Sequence, residues 1–468
     1  MARVVVVGGG FAGMAAACRL AGDGHEVIVC DRALRLGGRA APFDQGGATI
    51  DRGHHVLMRA CTAAAGFLER IGATDAVRFQ ESLAIPLLCD GERTVLRSWP
   101  LPGVVHLLPA LLGYRPLDRR ERLAVARAGV ALLVPRSKGD GETFGQWLKR
   151  HSQSERAVRR LWDPIVVATL NAPASRVSFR AARHVFREVF FVPHGADMGL
   201  FTVPLDDVFQ AARRYLEARG GTVELGVPVE RVFMSGGSAH GIRLASGREI
   251  AGDAVIVAVP PDAFAELAFG IPELRPVVGA AQRLEWTPIV NVHLTFDRKV
   301  VGDAFAVGID SLVQAIFAQA DALTLGGASA RGQTLVLSQS AAADWIDRSD
   351  EEIVSELRSA LDVLVPAARG ARLVDSLVLR HRRATFVPSP GADALRPKSR
   401  TPISGLYLAG DWTATGWPST IESAVLSGIY AAAALESDAA ARCPAAVESD
   451  AATCSKPESD IEKGHSEA

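Results

Sequence analysis

Residues 3–7 (Arg-Val-Val-Val-Val) form an unbroken apolar run, the signature of a strand buried on both faces. Gly8-Gly9-Gly10-Phe11-Ala12-Gly13 follows at once, then a helix through Met14 to Leu20 and a second strand from Glu26 to Cys30. This strand–turn–helix–strand opening predicts an α/β fold built on a parallel sheet. Residues 61–80 read as a helix with Phe67, Leu68 and Ile71 on one face. From Leu83 to Glu92 a short apolar stretch turns at Asp90-Gly91, a hairpin signal. Helical spacing returns in Thr143–Leu161 and Leu205–Arg219. Strands are expected at Thr222–Leu225, Val227–Phe233, Gly241–Leu244 and Ala254–Val259, and through much of 284–340. Asp350–Leu364 is a helix, and 405–428 reads as strand, loop and helix.

Two stretches break this regularity. Residues 99–135 combine Leu101–Leu112 with an Arg-, Leu- and Val-rich segment from Arg119 to Leu133, bordered by Arg115, Arg119, Arg120 and Arg122. Such helices pack in a substrate domain by default, and they also suit a membrane surface. After Leu435 the chain repeats Glu-Ser-Asp at 436, 448 and 458, and 436–468 is expected to be a disordered acidic tail.

Composition adds little to the fold but narrows the function. A length of 468 residues implies about two or three domains. The formal net charge of −1 divides into −5 on the tail and +4 on the body, too weak a field to suggest nucleic acid. Six cysteines stand singly at 18, 30, 61, 89, 443 and 454, as core thiols of a reducing compartment do. No apolar run reaches the ~20 residues of a membrane span. The expectation is a cytoplasmic protein, either free or resting on the inner membrane without crossing it.

The glycine loop carries the first chemistry. Gly8 permits the tight turn, Gly10 lets backbone approach a diphosphate, and Gly13 allows helix and strand to pack closely. The helix start at Phe11 and Ala12 then presents N–H groups to the phosphates. Asp31 ends the second strand eighteen residues after Gly13, where a carboxylate accepts from ribose hydroxyls. Arg32 follows it, and Gly37-Gly38-Arg39 supplies pliable backbone and a guanidinium suited to the far side of a diphosphate. Near the other end, Leu406-Tyr407-Leu408-Ala409-Gly410-Asp411 closes a strand on Gly-Asp, and Ser419-Thr420-Ile421 opens a helix. Asp411 can accept from ribityl hydroxyls, and the Ile421 helix start can face a flavin's polar edge.

These three blocks, in this order and spanning the ordered chain, resemble the FAD-binding signature of the flavin amine oxidase and phytoene desaturase superfamily. The resemblance implies a Rossmann-like FAD-binding domain of the glutathione-reductase type with an interleaved substrate domain. It also implies that Val229 lies on the strand whose backbone contacts adenine. The FAD domain is then discontinuous, 1–80, 201–260 and 401–435, and the substrate domain is 81–200 and 261–400.

Asp51-Arg52-Gly53-His54-His55-Val56-Leu57 and Leu161 to Asn171 are similar to segments of the squalene-associated FAD enzymes, the hydroxysqualene dehydroxylases. Those proteins typically carry Asn-Gly-Gln-His where this chain has Arg52-Gly53-His54-His55, which adds titratable groups near the expected flavin face. The reaction implied is reductive loss of a hydroxyl from hydroxysqualene to give squalene, in a pathway fed by upstream squalene-forming synthases. The flavin supplies the hydride, and the protein must hold a C30 chain and exclude water. Phe186, Phe190, Phe191, Phe201, Trp162 and Trp417 are candidate apolar lining, although aromatics at such spacing more often form core. The candidate proton donors are His54, His55, Asp163 and His184. Asp163 precedes Pro164, where helices often end. Asp51 and Gly53 are expected near the flavin rather than in acid catalysis. No metal-ligand spacing and no hydrolytic triad are present.

Other readings share the scaffold. A carotenoid-type desaturase or isomerase would use the same flavin on a polyene. An amine oxidase would normally carry an aromatic sandwich and often a lysine near the flavin, yet Lys149 is the only lysine between residues 139 and 298. A flavin-bound scaffold without catalysis is the reading from another class.

Overall fold

The computed structural model describes residues 1–45, 48–89, 91–134, 141–319 and 332–442. Its centre is a parallel sheet of five strands in the order Thr222–Leu225, Glu26–Asp31, Arg3–Val7, Ala254–Val257, Leu406–Leu408. Val4 pairs with Val27 on one side and Ala254 on the other, so the first strand is central and its valines are buried. Helices Phe11–Gly22, Leu205–Glu217 and Ile421–Arg442 contribute to the apolar cluster on one face. The antiparallel sheet Val229–Ser235, Ser238–Leu244, Glu249–Ala251 and the helix Pro261–Leu267 contribute to the other. Strands from three distant parts of the chain thus make one sheet.

The remainder packs around a seven-stranded sheet in the order Leu373–Phe386, Trp286–Phe296, Gln333–Gln339, Ala315–Ala318, Phe305–Gly308, Ala84–Cys89, Glu92–Arg97. Every pairing is antiparallel except Phe305–Gly308 with Ala84–Cys89, where Val307 meets Leu87. Helix Asp350–Leu364 packs on it through Ile353, Leu357 and Leu361. The helical segments between residues 103 and 190 form a separate cluster centred on Phe144, Trp147, Trp162 and Phe186. The hairpin of the Asp90-Gly91 signal forms, with Cys89 opposite Glu92, although Asp90 itself lies outside the described residues. Among the described residues no helix is long and apolar enough to cross a membrane. Cys18, Cys30, Cys61 and Cys89 are buried, and Cys443 and Cys454 lie outside the described residues.

Four sequence expectations need correction. The helix expected over 61–80 is Thr62–Arg70, ended by Gly72 at φ +70° with Ala73 N–H donating to the Leu68 carbonyl. The helix expected over Thr143–Leu161 breaks after Arg150, because Ser154 caps a new start by accepting from Ala157 N–H. Asp163 does not end a helix. A π turn, Val158–Trp162, runs into Asp163–Leu170, and Tyr114 O–H donates to the Arg160 carbonyl, four residues before Pro164, whose ring lacks the N–H that would bond it. Residues 436–442 are not disordered: the last helix continues to Arg442. Glu436 pairs with Arg19, and Asp438 accepts from Arg400 and Tyr407, so charge rather than apolar burial secures this end. The remainder of the expected tail, 443–468, lies outside the described residues.

Candidate functional site

The glycine loop is held open by backbone geometry. Gly8 sits at φ +106°, and its N–H donates to the Cys30 carbonyl at 2.8 Å. A Cβ on Gly13 would lie 1.9 Å from the Gly8 carbonyl oxygen, so only glycine lets helix and turn meet. The N–H groups of Phe11, Ala12 and Gly13 open a twelve-residue helix and have no intrahelical acceptor. The Phe11 side chain is core, packed on Phe209 and Phe67. Asp31 is already engaged: it accepts from Gly9 N–H at 2.6 Å and Ala33 N–H at 2.8 Å, bracing the loop and keeping lone pairs for a ribose. Arg32 is exposed. Val227 N–H donates to the Asp31 carbonyl, which brings the strand beginning at Val229 beside this carboxylate.

The second and third blocks converge on the first. A Cβ on Gly10 would lie 3.8 Å from both the Gly37 oxygen and Gly38 Cα, so the two glycine segments lie side by side. Arg39 forms an ion pair with Asp411 across 372 residues of sequence, and its other nitrogen donates to the Ala384 carbonyl at 3.0 Å. Ser419 O–H also donates to the Asp411 carboxylate. Thr420 caps the last helix by accepting from Ser423 N–H, so that helix starts at Ile421 beside Asp411. Gly410, at φ +139°, donates its N–H to Ser427 Oγ at 2.7 Å. The first and last helices cross so closely that a Cβ on Gly428 would lie 2.2 Å from the Ala12 carbonyl oxygen. Both helix N-termini, with their partial positive charge, are therefore fixed relative to each other.

Three groups in this scaffold were not among the sequence-predicted site residues. Arg396 is only 6% exposed and donates to the Asp411 carbonyl, Thr415 Oγ1, Ser423 Oγ and Asp393, tying the loop after Asp411 to its surroundings. Burial holds its guanidinium below the usual range, opposed by Asp393. Glu422 accepts from the N–H groups of Ala63 and Ala64, capping the neighbouring helix. Asn171, left-handed at φ 52°, donates to Thr385 Oγ1 at 2.9 Å and accepts from Ala341 N–H at 2.6 Å, fastening the helical lobe to the large sheet. Glu422 and Asn171 act through partners more than 150 residues away, and Arg396 through partners up to 27 residues away.

The histidine segment lines a small cavity. Asn291 Nδ2 and His381 Nε2 both bond the Arg52 carbonyl, at 3.2 and 2.9 Å, and a Cβ on Gly53 would lie 2.6 Å from Asn291. This fixes the next two residues: His54 stacks on Phe317 at 4.4 Å, and His55 turns inward. Asp51, Gly53, His54, His55, His293 and Gln319 share the cavity with Phe201, Val203 and Val336. Its volume of about 20 Å³ is room for about one water molecule. Burial pushes the imidazoles of His54, His55 and His293 down to about 4. The Asp51 carboxyl is pushed up to about 6, by burial first and then by Asp206 and Asp207, against a hydrogen bond from Leu205 N–H. Among the described residues no group of three His, Cys, Asp or Glu side chains is placed to hold a metal.

The four sequence-predicted acids therefore separate. His54 and His55 share one cavity. His184 lines another, of about 350 Å³, with its ring edge-on to Trp417 at 5.0 Å and with Arg180, Arg183, Arg187 and Arg396 around it. Asp163 accepts from Ala174 N–H at 2.8 Å and clamps the turn after its own helix; it lines neither cavity. Of the aromatics, Trp162, Phe186 and Phe190 are core, whereas Phe201 and Trp417 reach cavities.

The buried imidazoles have a consequence for stability. Their folded pKa lies below the unfolded value of 6.5, so the stability linked to them is full above pH 6.5 and is lost as pH falls towards 4. Asp51, raised instead, works the other way: its unfavourable charge is acquired as pH climbs towards 6. Melting curves should fall steeply between pH 6.5 and 4, and less steeply for His293→Leu. Equal slopes would refute the assignment.

Two fixed helix N-termini, a glycine slot and the Asp411 carboxylate held between Arg39 and Ser419 fit a flavin dinucleotide, and with the family match below this defines the class as an FAD-dependent oxidoreductase. The chain belongs to the flavin containing amine oxidoreductases, whose family model matches residues 11–435. It is 25% identical to the 15-cis-phytoene desaturase of Solanum lycopersicum, covering 93% of this chain and 78% of that one. It is also 25% identical to the 15-cis-phytoene desaturase of Synechococcus elongatus, covering 92% and 95%. Among solved structures, an oxidoreductase from Methanosarcina mazei superposes with a TM-score of 0.69 at 20% identity, covering 91% of this chain and 99% of that one. Cyclohexylamine oxidase from Brevibacterium oxydans gives 0.66 at 19%, covering 94% and 99%. These two likenesses establish the fold.

Proposed function

We propose that this enzyme acts on a long isoprenoid and that its reaction is reductive removal of the hydroxyl of hydroxysqualene, giving squalene. The observation that carries this reading is the polar cavity of Asp51, His54, His55 and His293, set among apolar walls and sized for a single hydroxyl or water. A hydrocarbon polyene has no group to place there. When bound, FAD supplies or accepts the hydride. The chain's own residues hold the dinucleotide at both helix starts, exclude bulk water and present neutral imidazoles beside a carboxyl group.

The surface supports a membrane-held substrate. Trp99, Leu112, Leu123, Val130 and Val134 are exposed large apolar side chains, and exposed Arg119 and Arg120 lie in the same segment. We place the enzyme at the cytoplasmic face of the inner membrane, taking its substrate from squalene-forming synthases. Desaturation or isomerisation of a carotenoid is the second reading, favoured by the relatives named as phytoene desaturases. One experiment addresses both: anaerobic incubation of the reduced holoenzyme with liposomes carrying hydroxysqualene or phytoene, with product mass and protein flotation read from the same tubes. Squalene formation with liposome-bound protein is expected. Conversion of phytoene alone would select the second reading, and protein left at the bottom of the gradient would remove the membrane placement.

A further inference from the structure

We propose that the cavity of Asp51, His54, His55, His293 and Gln319 is the hydroxyl-binding subsite, and that Asp51 is the catalytic residue that protonates the departing oxygen. This deepens the dehydroxylase reading and rests on it.

The first argument is unmet hydrogen bonding. His293 is 1% exposed, and neither of its ring nitrogens has a partner among the described residues. His55 Nδ1 and Gln319 Oε1 are in the same position, and all three residues line the one cavity. A buried polar atom left unpaired costs about 1–3 kcal/mol, and native folds rarely keep several together without something to satisfy them. His293 lies on the strand Trp286–Phe296, opposite Val336 and Leu377, where an apolar side chain would serve packing better. A neutral imidazole has one donor and one acceptor, which is what a hydroxyl needs.

The second argument is position. Both oxygens of Asp51 face Leu205 N–H, at 3.2 and 3.4 Å, so the carboxyl is aimed by the helix start at Leu205–Glu217 and keeps lone pairs towards the cavity. The charged and titratable groups around it are Asp206 and Asp207 on that helix, Arg52, His54 and His55 on its own segment, His293 on Trp286–Phe296, and His381 on Leu373–Phe386 through the Arg52 carbonyl. The acidic neighbours and burial favour a protonated carboxyl, whereas the three cavity imidazoles stay neutral down to about 4. The carboxyl is then the proton source, and the imidazoles are the hydroxyl's hydrogen-bond partners.

The step balances. The carbon–oxygen bond breaks with its electron pair going to oxygen, the Asp51 proton completes a water molecule, and that water fits the cavity. The carbon takes a hydride from reduced FAD and is reduced by two electrons. A two-electron donor of the reduced-nicotinamide class restores the flavin, and solvent returns the proton to Asp51.

The test uses the holoenzyme in two states. With oxidised FAD no turnover occurs, and binding is read from the flavin absorbance. The wild type should bind hydroxysqualene about tenfold more tightly than squalene, the worth of roughly one net hydrogen bond. His293→Leu and the milder His293→Gln should lose most of that preference while keeping full FAD content. With reduced FAD under anaerobic single turnover, Asp51→Asn keeps an acceptor for Leu205 N–H but has no acidic proton. Squalene formation should fall at least about 100-fold, with hydroxysqualene affinity preserved. The wild-type rate should decline as pH rises through about 6, and the variant's residual rate should not. An Asp51→Asn rate within about threefold of wild type, or an unchanged binding preference in both His293 variants, overturns the subsite while leaving the dehydroxylase reading intact. A wild type that makes no squalene overturns both.

Discussion

Gly13→Val is expected to give a colourless protein. Its Cβ would fall 1.9 Å from the Gly8 carbonyl oxygen and 3.3 Å from Ala258 Cβ, and the first of these is backbone that no rotamer change can move aside. Relief requires the helix Phe11–Gly22 to lift from the turn, withdrawing the amide groups meant for the diphosphate. The affinity for FAD should drop by at least about 100-fold, since charge-assisted contacts of ~1.5–3 kcal/mol each are lost together. The ratio of flavin to protein absorbance after purification, and the shift in melting point on adding FAD, measure this directly. Gly66→Ala is the control: it sits exposed in the helix Thr62–Arg70 with nothing within 4 Å of its new Cβ, so flavin content should be unchanged. A yellow, stoichiometric Gly13→Val protein would contradict the assignment.

Arg396→Met should be the most destabilising single change outside the glycine loop. The guanidinium is the common partner of the Asp411 carbonyl, Thr415, Ser423 and Asp393, and it lies 5.0 Å over the Phe386 ring. Methionine fills similar volume but removes the one donor shared by these groups, leaving Ser423 and Thr415 to bond each other and the Asp411 carbonyl without it. Breaking a buried charged network in this way costs about 3–5 kcal/mol, a melting-point loss of roughly 3–5 °C for a chain of 468 residues. The loop between Asp411 and the last helix should loosen as well, so flavin should dissociate faster on dilution. A variant with unchanged melting point and flavin off-rate would show that Ser419, Arg39 and Ser423 hold Asp411 in place without Arg396.

The comparison of sequence with structure divides along a physical line. Gly8, Gly13, Asp31, Gly38 and the Asp411–Ile421 block are legible because each is a local demand: a positive φ, a close approach, a helix start, a strand end. The convergence of Arg39 on Asp411 follows from the parallel strand order, which a reader of the sequence reaches only through the family resemblance. His293, Asn291 and Arg396 were out of reach. Each is a single polar residue whose meaning depends on strand register or a long-range bond, and nothing beside it in sequence signals that. The environment of Asp51 was not legible, because its carboxyl is pushed up first by burial in the folded chain and then by Asp206 and Asp207, more than 150 residues away. Asp163 shows the converse error: a proline beside an acid reads as a helix end until Tyr114 supplies the missing donor.

The contact between Ala12 and Gly428 bears on biogenesis. Ala12 and Gly428, near opposite ends of the span that the family model matches, must come together before the flavin has a closed clasp. A chain truncated before residue 428 lacks half of that grip, and it is expected to lose the flavin altogether rather than hold it more weakly.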